Sequence, residues 1–382
     1  MHLALVTHNV LIGDGQGRVN YELTRYLLNH GIDVTLIADK IAPELIDAGA
    51  SWMPVHPKPF ADQVDLFKVW RFREMADRLL HRVGSQFDLV MGCGVTLSCP
   101  HHLNAVHFVH GTWLDSPYHA STVRSGLDSW YQQAFSSLNA GWEIETFRQA
   151  QRVVAVSEMV RDELLSIGVA PSKIEVVVNG VDCTEFHPGS ADRTALDLPD
   201  NVLLGLFVGD IQSPIKNLDL VLEALVDAPD IHLAVAGHPD GSPYPRLADR
   251  LGIASRVHFL GFRRDVADLM RGADFFSLPS RRDSCPLVLL EALASGLPVI
   301  TARTVGTSNL VNSHPLIETE AGFVLDNPDD RSTMDAALHT FANDPDRRIE
   351  MGRTARRIAE HHSWHQMAAS YLSIFDNVLQ PV

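Results

Sequence analysis

Short apolar runs alternate with amphipathic stretches along most of the chain, the arrangement that builds an α/β sheet. Leu3-Ala-Leu-Val6, Asp33-Val-Thr-Leu-Ile37, Asp88-Leu-Val-Met91, Ala105-Val-His-Phe-Val109 and Arg152-Val-Val-Ala-Val156 predict buried strands of a first sheet, with a helix from Val19 to Asn29 stopped by Gly31. A second set predicts a second sheet of the same kind: Leu203-Gly-Leu-Phe-Val208, Ile231-His-Leu-Ala-Val235, Val257-His-Phe-Leu260, Phe275-Phe-Ser-Leu278 and Pro298-Val-Ile300. Unbroken apolar strands of this length belong to parallel sheets covered by helices on both faces. Between the two sets, Phe186 to Asp200 is rich in turn formers and poor in apolar periodicity, as a connection between domains is. The pattern predicts an α/β chain of two doubly wound, Rossmann-like domains, residues 1–187 and 188–363, followed by an amphipathic stretch within 364–382.

Composition narrows the function. A chain of 382 residues exceeds one ordinary core and accommodates two or three domains. Its net charge of −16 argues against nucleic acid, which needs a dense basic face, and leaves nucleotide-sized ligands open. Cys93, Cys99, Cys183 and Cys285 form neither a Cys-x-x-Cys pair nor a disulfide framework, which fits a reducing compartment. The start, Met1 to Thr7, lacks the basic lead and long apolar core of a signal peptide, and no segment reaches membrane-spanning length, so the expected location is the cytoplasm.

The chemistry concentrates in Ser280-Arg-Arg-Asp-Ser-Cys-Pro-Leu-Val-Leu-Leu-Glu-Ala-Leu-Ala-Ser-Gly-Leu-Pro-Val-Ile300. Pro286 suits a first helical position, Gly296 a left-handed stop and Pro298 the residue beyond it. Asp283 then lies in a strand-to-helix loop, where open parallel sheets hold their ligands. Glu291 lies about a turn and a half into the helix. Val288, Leu289, Leu290, Ala292 and Leu293 surround it, and a carboxylate so placed needs a partner. Ribose hydroxyls are the natural one.

An acid, seven residues, then Glu before Ala-x-Ala-x-Gly-x-Pro-Val resembles the carboxylate signature of retaining family 4 glycosyltransferases, the group 1 transferases of GT-B fold. Other pieces follow in that family's order: Gly15 and Gly17 after the first strand, Phe108-Val-His-Gly111, Val154-Ala-Val-Ser-Glu158, Asn179-Gly-Val-Asp182, Lys216-Asn217 and Phe259-Leu-Gly-Phe262. The resemblance implies two facing domains with a cleft between them, and a C-terminal helix, 364–382, packed back on the first. It implies transfer of a hexosyl-type group from a nucleoside diphosphate sugar to a hydroxyl acceptor with retention, without a metal or other cofactor. Asp283 would hold the sugar, Glu291 the ribose and Lys216 the departing diphosphate. His110 would orient the sugar, with His107 the competitor if the register shifts. Gly15 and, less directly, Gly17 would approach the donor phosphates. Phe262 and Arg263 would lie at the segment whose backbone meets the nucleobase, and the amides of Ser284 and Cys285 would face phosphate oxygens.

Three positions depart from the family. Asp210 stands where many relatives have a phosphate-binding Arg, so Arg281, Arg282, Arg263 or Arg264 would supply the charge, or Asp210 only caps its loop. Asp283 replaces the usual Glu, shortening its reach, and Ser284-Cys285-Pro286 replaces a glycine-rich run, Pro286 removing one amide. No histidine or cysteine spacing matches a metal site: Cys93, Cys99, His101 and His102 fit no zinc pattern, and Asp344 and Asp346 read as helix caps. Lys68, Arg71, Arg78 and Arg82 share one helical face, but Glu74, Asp77 and the acidic whole favour a solvated face over an anionic membrane. Two rivals remain, a nucleotide-sugar epimerase on the same paired domains and a non-catalytic nucleotide-sugar-binding subunit. Backbone recognition of the base leaves no side-chain signature, so the sequence names no donor base, and it names no acceptor or oligomeric state either.

Overall fold

The computed structural model describes residues 1–56, 65–123, 126–314 and 319–380. The chain folds as two units, Met1–Asn179 with Trp364–Val382, and Gly180–Ser363. The first carries β1 (His2–Val10), β2 (Asp33–Ile41), β3 (Ser51–Pro54), β4 (Leu89–Cys93), β5 (His101–Val106), β6 (Ala150–Ala155) and β7 (Ile174–Val176). They form one sheet in the order β3-β2-β1-β4-β5-β6-β7 with every neighbour parallel. Leu3, Ala4, Leu5 and Val6 have no exposed surface, as a central strand covered on both faces requires. On one face the helix Asp65–Val83 lays Phe72, Ala76 and Leu80 against Ala4, Val6 and Ile37. Each large side chain so buried stabilises the unit by roughly 1.5–3 kcal/mol.

The second unit carries β8 (Leu203–Val208), β9 (Ile231–Ala236), β10 (Val257–Gly261), β11 (Phe275–Leu278), β12 (Val299–Ala302) and β13 (Gly322–Leu325). Their order, β10-β9-β8-β11-β12-β13, is again wholly parallel. In both sheets the order reverses beside the first strand, at β1/β4 and at β8/β11. Loops leaving the carboxyl ends of those strands diverge there and open the crevice in which such sheets bind ligands.

The alternation in the sequence thus marks real elements, with four instructive differences. The helix expected from Val19 begins at Gly15, because Asp14 caps it by accepting the Gly17 amide at 3.3 Å. The strand expected to run from Ala105 to Val109 spans His101–Val106, and Val109 instead caps the short helix His110–Trp113. Pro286 is the cap of the helix Leu287–Ala294 rather than its first residue. The stretch Phe186–Asp200, expected as the connection, is pinned to the second unit, and the division falls earlier, at Asn179/Gly180. Val181 donates to the His362 carbonyl at 2.9 Å, and Arg356 Nη1 donates to the carbonyls of Cys183, Phe186 and Ala294. Arg193 donates to the carbonyls of Gly272 and Val202 and to Asp274. The C-terminal helix Trp364–Leu379 belongs to the first unit, where His365 meets Tyr26 edge-on and Arg18 lies 6.0 Å from the Trp364 ring. Residues 381 and 382 of the expected helix lie outside the described residues.

Candidate functional site

At the β8/β11 switch point the structure brings Lys216 and Asp283 together as an ion pair through Nζ and Oδ2, with side-chain exposures of 25% and 16%. Lys216 ends the turn Pro214–Lys216 in the loop after β8, and its stem lies over Gly209. The next residue, Asn217, is fully buried and left-handed at φ 61°, a conformation asparagine tolerates better than most residues. Its Nδ2 donates to the carbonyls of Pro279 at 3.1 Å and Pro328 at 2.7 Å, bolting the lysine's turn to the loop after β11. Asp283 is held from the other side: its amide donates to the Thr304 carbonyl at 3.1 Å and its carbonyl accepts from Gly306 at 2.8 Å. Both charges are therefore placed by the main chain of three converging loops. Neither Asn217 Nδ2 nor the Thr304–Gly306 support is readable as a spacing in the sequence.

The helix Leu287–Ala294 follows that loop directly. Leu289, Leu290, Ala292 and Leu293 are fully buried, while Leu287, Val288 and Glu291 form its partly exposed strip, so Glu291 emerges from the core on that strip. Ser284 and Cys285 are each 9% exposed and lead into the helix.

The arginines around the site are differently occupied. Arg281 forks onto Asp219 at 3.0 and 2.6 Å, reaches Asp329 at 2.9 Å and donates to the Pro214 carbonyl at 2.7 Å. Burial alone would lower its pKa, but bonding to Asp219 and Asp329 outweighs burial and raises it, so its charge is fixed and committed to the scaffold. The Tyr244 hydroxyl joins the same Asp219 at 3.2 Å, and burial, then Asp219, raises its pKa. Arg263 forks onto Asp265 at 2.8 and 2.5 Å. Arg282 stands beside Asp283 and is partly exposed. Asp210 accepts the Gln212 amide at 2.8 Å, which makes it the cap of its own loop. Phe262, 63% exposed, stacks on His238 with ring centroids 5.2 Å apart and planes 8° from parallel, a flat pair just beyond β9 and β10.

In the first unit, Gly15 and Gly17 open the helix after β1 and differ in kind. A Cβ on Gly17 would meet the Leu11 carbonyl oxygen and Asp14 Cβ at 2.9 Å, whereas one on Gly15 would meet nothing within 4 Å. His110 starts the helix His110–Trp113, its ring edge-on to Phe108 and Phe135. The buried carboxylate of Glu143 accepts the amides of His110 at 2.7 Å and Gly111 at 3.1 Å, and so positions that turn. Glu143 lies in the helix Gly126–Gln149, far along the sequence, and no local pattern announces it. His107, the register competitor, is desolvated and held at a pKa of about 4 against the pull of Asp14, and its buried Nε2 has no hydrogen-bond partner among the described residues.

Among the described residues no cluster of three or more histidine, cysteine, aspartate or glutamate side chains is placed to hold a metal, and no helix is long and apolar enough to cross a membrane.

Two wholly parallel doubly wound sheets, with polar loops gathered at a switch point in each, define the architecture of two-domain nucleotide-binding α/β proteins. Residues 13–185 match the family described as Glycosyltransferase Family 4, and residues 203–344 match Glycosyl transferases group 1. The chain belongs to the family 4 glycosyltransferases. It is 35% identical over 253 residues to D-inositol 3-phosphate glycosyltransferase of Mycobacterium tuberculosis (strain ATCC 25618 / H37Rv), a match covering 61% of this chain. The chain spans about half, 50%, of that relative's length. Among solved structures it resembles sucrose-phosphate synthase from Thermosynechococcus elongatus (TM-score 0.79, 17% identity, 99% of each chain covered). It also resembles WaaG, a glycosyltransferase involved in lipopolysaccharide biosynthesis (TM-score 0.76, 18% identity, 98% of this chain and 99% of that one). Anabaena Alr3699/HepE in complex with UDP and glucose follows (TM-score 0.66, 19% identity, 97% and 99%). At such identities the likeness carries the fold, which is GT-B.

Proposed function

We propose that the chain transfers a hexosyl-type group from a nucleoside diphosphate sugar to a hydroxyl acceptor, in the cytoplasm, with retained anomeric configuration and without a metal. The observation that carries this is the Lys216–Asp283 pair at the β8/β11 switch point, followed by Glu291 on the next helix. Before donor binds, the two charges neutralise each other. A bound donor would separate them, Lys216 turning to the diphosphate and Asp283 to the sugar hydroxyls, while Glu291 accepts from the ribose. Lys216 then stabilises the charge that grows on the leaving diphosphate, an electrostatic contribution realised chiefly in the transition state. The leaving phosphate itself takes the acceptor proton on the face from which it departs, so no protein nucleophile is assigned. His110 orients the sugar. Arg281 is held by Asp219 and Asp329, and the diphosphate is assigned to Arg282 and the amides of Ser284 and Cys285, which lie beside Asp283.

The test is turnover of UDP-, GDP- and ADP-sugars with hydroxyl acceptors, D-inositol 3-phosphate among them because a relative's name carries it. Lys216→Ala should cost about a hundredfold or more in kcat. Glu291→Ala should raise the donor KM by about tenfold, the worth of a hydrogen bond to a charged group. A chelator should leave turnover unchanged. Conversion of the donor without acceptor would replace transfer with epimerisation, and turnover indifferent to both substitutions would remove the site.

A further inference from the structure

At the end of the second sheet opposite Lys216 and Asp283, by the amino ends of β11 and β12, lies a cavity of about 960 Å³. It opens between the end of the helix Leu287–Ala294 and the flank of the helix Pro345–Glu360. Its volume is that of a small-molecule site. The walls are fixed by backbone contact: a Cβ on Gly352 would lie 2.3 Å from the Gly296 carbonyl oxygen, and Gly296, at φ 74°, abuts the Pro188 ring.

Arg271, Arg348, Arg353, Arg356 and Arg357 line the cavity against Asp274 and Glu350. Part of this charge is accounted for by the fold. Arg356 pairs with Glu360 and caps the carbonyl of Ala294, Arg271 pairs with Asp268, and Asp274 is taken by Arg193. Ion pairing therefore accounts for these two arginines, and Arg356 also satisfies a helix-end carbonyl. The other three are left over. Arg348 gives one N–H to the Phe341 carbonyl and Arg357 gives one to the Thr354 hydroxyl, each keeping further donors. Arg353 is exposed and makes no hydrogen bond or ion pair among the described residues. Of the two lining acids only Glu350 is left to offset these three cations, in a chain whose net charge is −16. Met270, Leu297, Pro298 and Ile349 add an apolar wall.

We propose that this cavity binds a small anion of the phosphate-ester class, its charged group on the guanidinium forks of Arg353 and Arg357 and its organic body against the apolar wall. Arg forks match phosphate oxygens bidentately, and a concave pocket of this size takes a small molecule rather than a protein face. The site is independent of the donor assignment, because it lies at the other end of the strands. Calorimetric titration of the full chain with inorganic pyrophosphate tests it in the wild type, in Lys216→Ala and, in that same background, in the double variant Arg353→Ala/Arg357→Ala. Saturable binding should persist in Lys216→Ala, weaken by about tenfold or more in the double variant, and decline with added salt. Both arginines are exposed, so the double variant should melt as its Lys216→Ala parent does. Absence of binding in Lys216→Ala, or undiminished binding in the double variant, overturns the proposal. Loss in Lys216→Ala alone would assign the pyrophosphate to the donor side.

Discussion

Gly15 and Gly17 sit two residues apart in one turn, yet the packing around them assigns opposite jobs. Gly17 is a steric requirement, since any side chain there collides with the Leu11 carbonyl and with Asp14. Its amide is also taken by the Asp14 cap. Gly15 is exposed, has open space where a Cβ would be and stands at the first helical position. Gly17→Ala should therefore destabilise the first unit by about 1–3 kcal/mol, the usual cost of overpacking. Gly15→Ala should leave the melting temperature unchanged or slightly raised, because alanine is the better helix former. If Gly15 meets the donor through bare backbone, the same substitution weakens donor binding without touching stability. Melting curves and donor titrations of the two variants, run side by side, separate a glycine kept for packing from one kept for a ligand. Equal destabilisation by both would show that the turn tolerates neither.

At the scale of elements, the site rests on supports that come from far along the chain. The turn carrying His110 is held by Glu143 on another helix, whose carboxylate accepts two successive amides. Glu143→Gln keeps the size but turns one acceptor into a donor facing an amide, and should cost about 1–3 kcal/mol of stability. If Glu143 acts by positioning His110, kcat falls with it. The double variant with His110→Ala is then no worse than His110→Ala alone, the non-additivity expected of one unit. Additive losses would give Glu143 a role of its own. The same distance explains what the sequence displays and what it hides. Central strands such as Leu3–Val6 and Phe275–Leu278 are buried on both faces, so their apolar runs are legible. The edge and terminal strands Ser51–Pro54, Ile174–Val176 and Gly322–Leu325 are short or carry exposed and polar residues, and leave no such run. Asp283, Glu291 and Lys216 were legible because their loops and helix ends have local punctuation. The bonds that place Lys216, Asp283 and the turn of His110, from Asn217, Thr304 and Glu143 respectively, join residues up to 111 positions apart and carry no local period. The connection was misplaced for a related reason: turn formers mark irregular backbone, but Arg193 and Arg356 decide which unit it packs on.

At the scale of the whole molecule, buried imidazoles make the two units unequal in acid. Burial, with help from Lys68, holds His8 at about 4, opposed by Asp39 and Asp14. Burial likewise holds His107 at about 4, opposed by Asp14. Both lie in the first unit, whereas the second has His362 at about 4, lowered by burial and by His314 and His361. A histidine whose folded pKa lies below its unfolded value is protonated first in the unfolded chain. Its stabilising share is whole above pH 6.5, the ordinary value of a free imidazole, and is lost as pH falls from there through the folded value near 4. The steepest slope is about 1.4 kcal/mol per pH unit for each histidine. Two such groups against one should make the first unit lose stability faster between pH 6.5 and 4. The tryptophans allow the units to be watched separately, because all six, Trp52, Trp70, Trp113, Trp130, Trp142 and Trp364, belong to the first unit. Far-ultraviolet circular dichroism reports both. In urea melts repeated at decreasing pH, the fluorescence midpoint should fall ahead of the dichroism midpoint below pH 6.5 and coincide with it above. His107→Gln should narrow the gap by removing one of the two protonation sites. Midpoints that stay together down to pH 4, or a gap indifferent to His107, would mean that these imidazoles are not what sets the acid limit of the first unit.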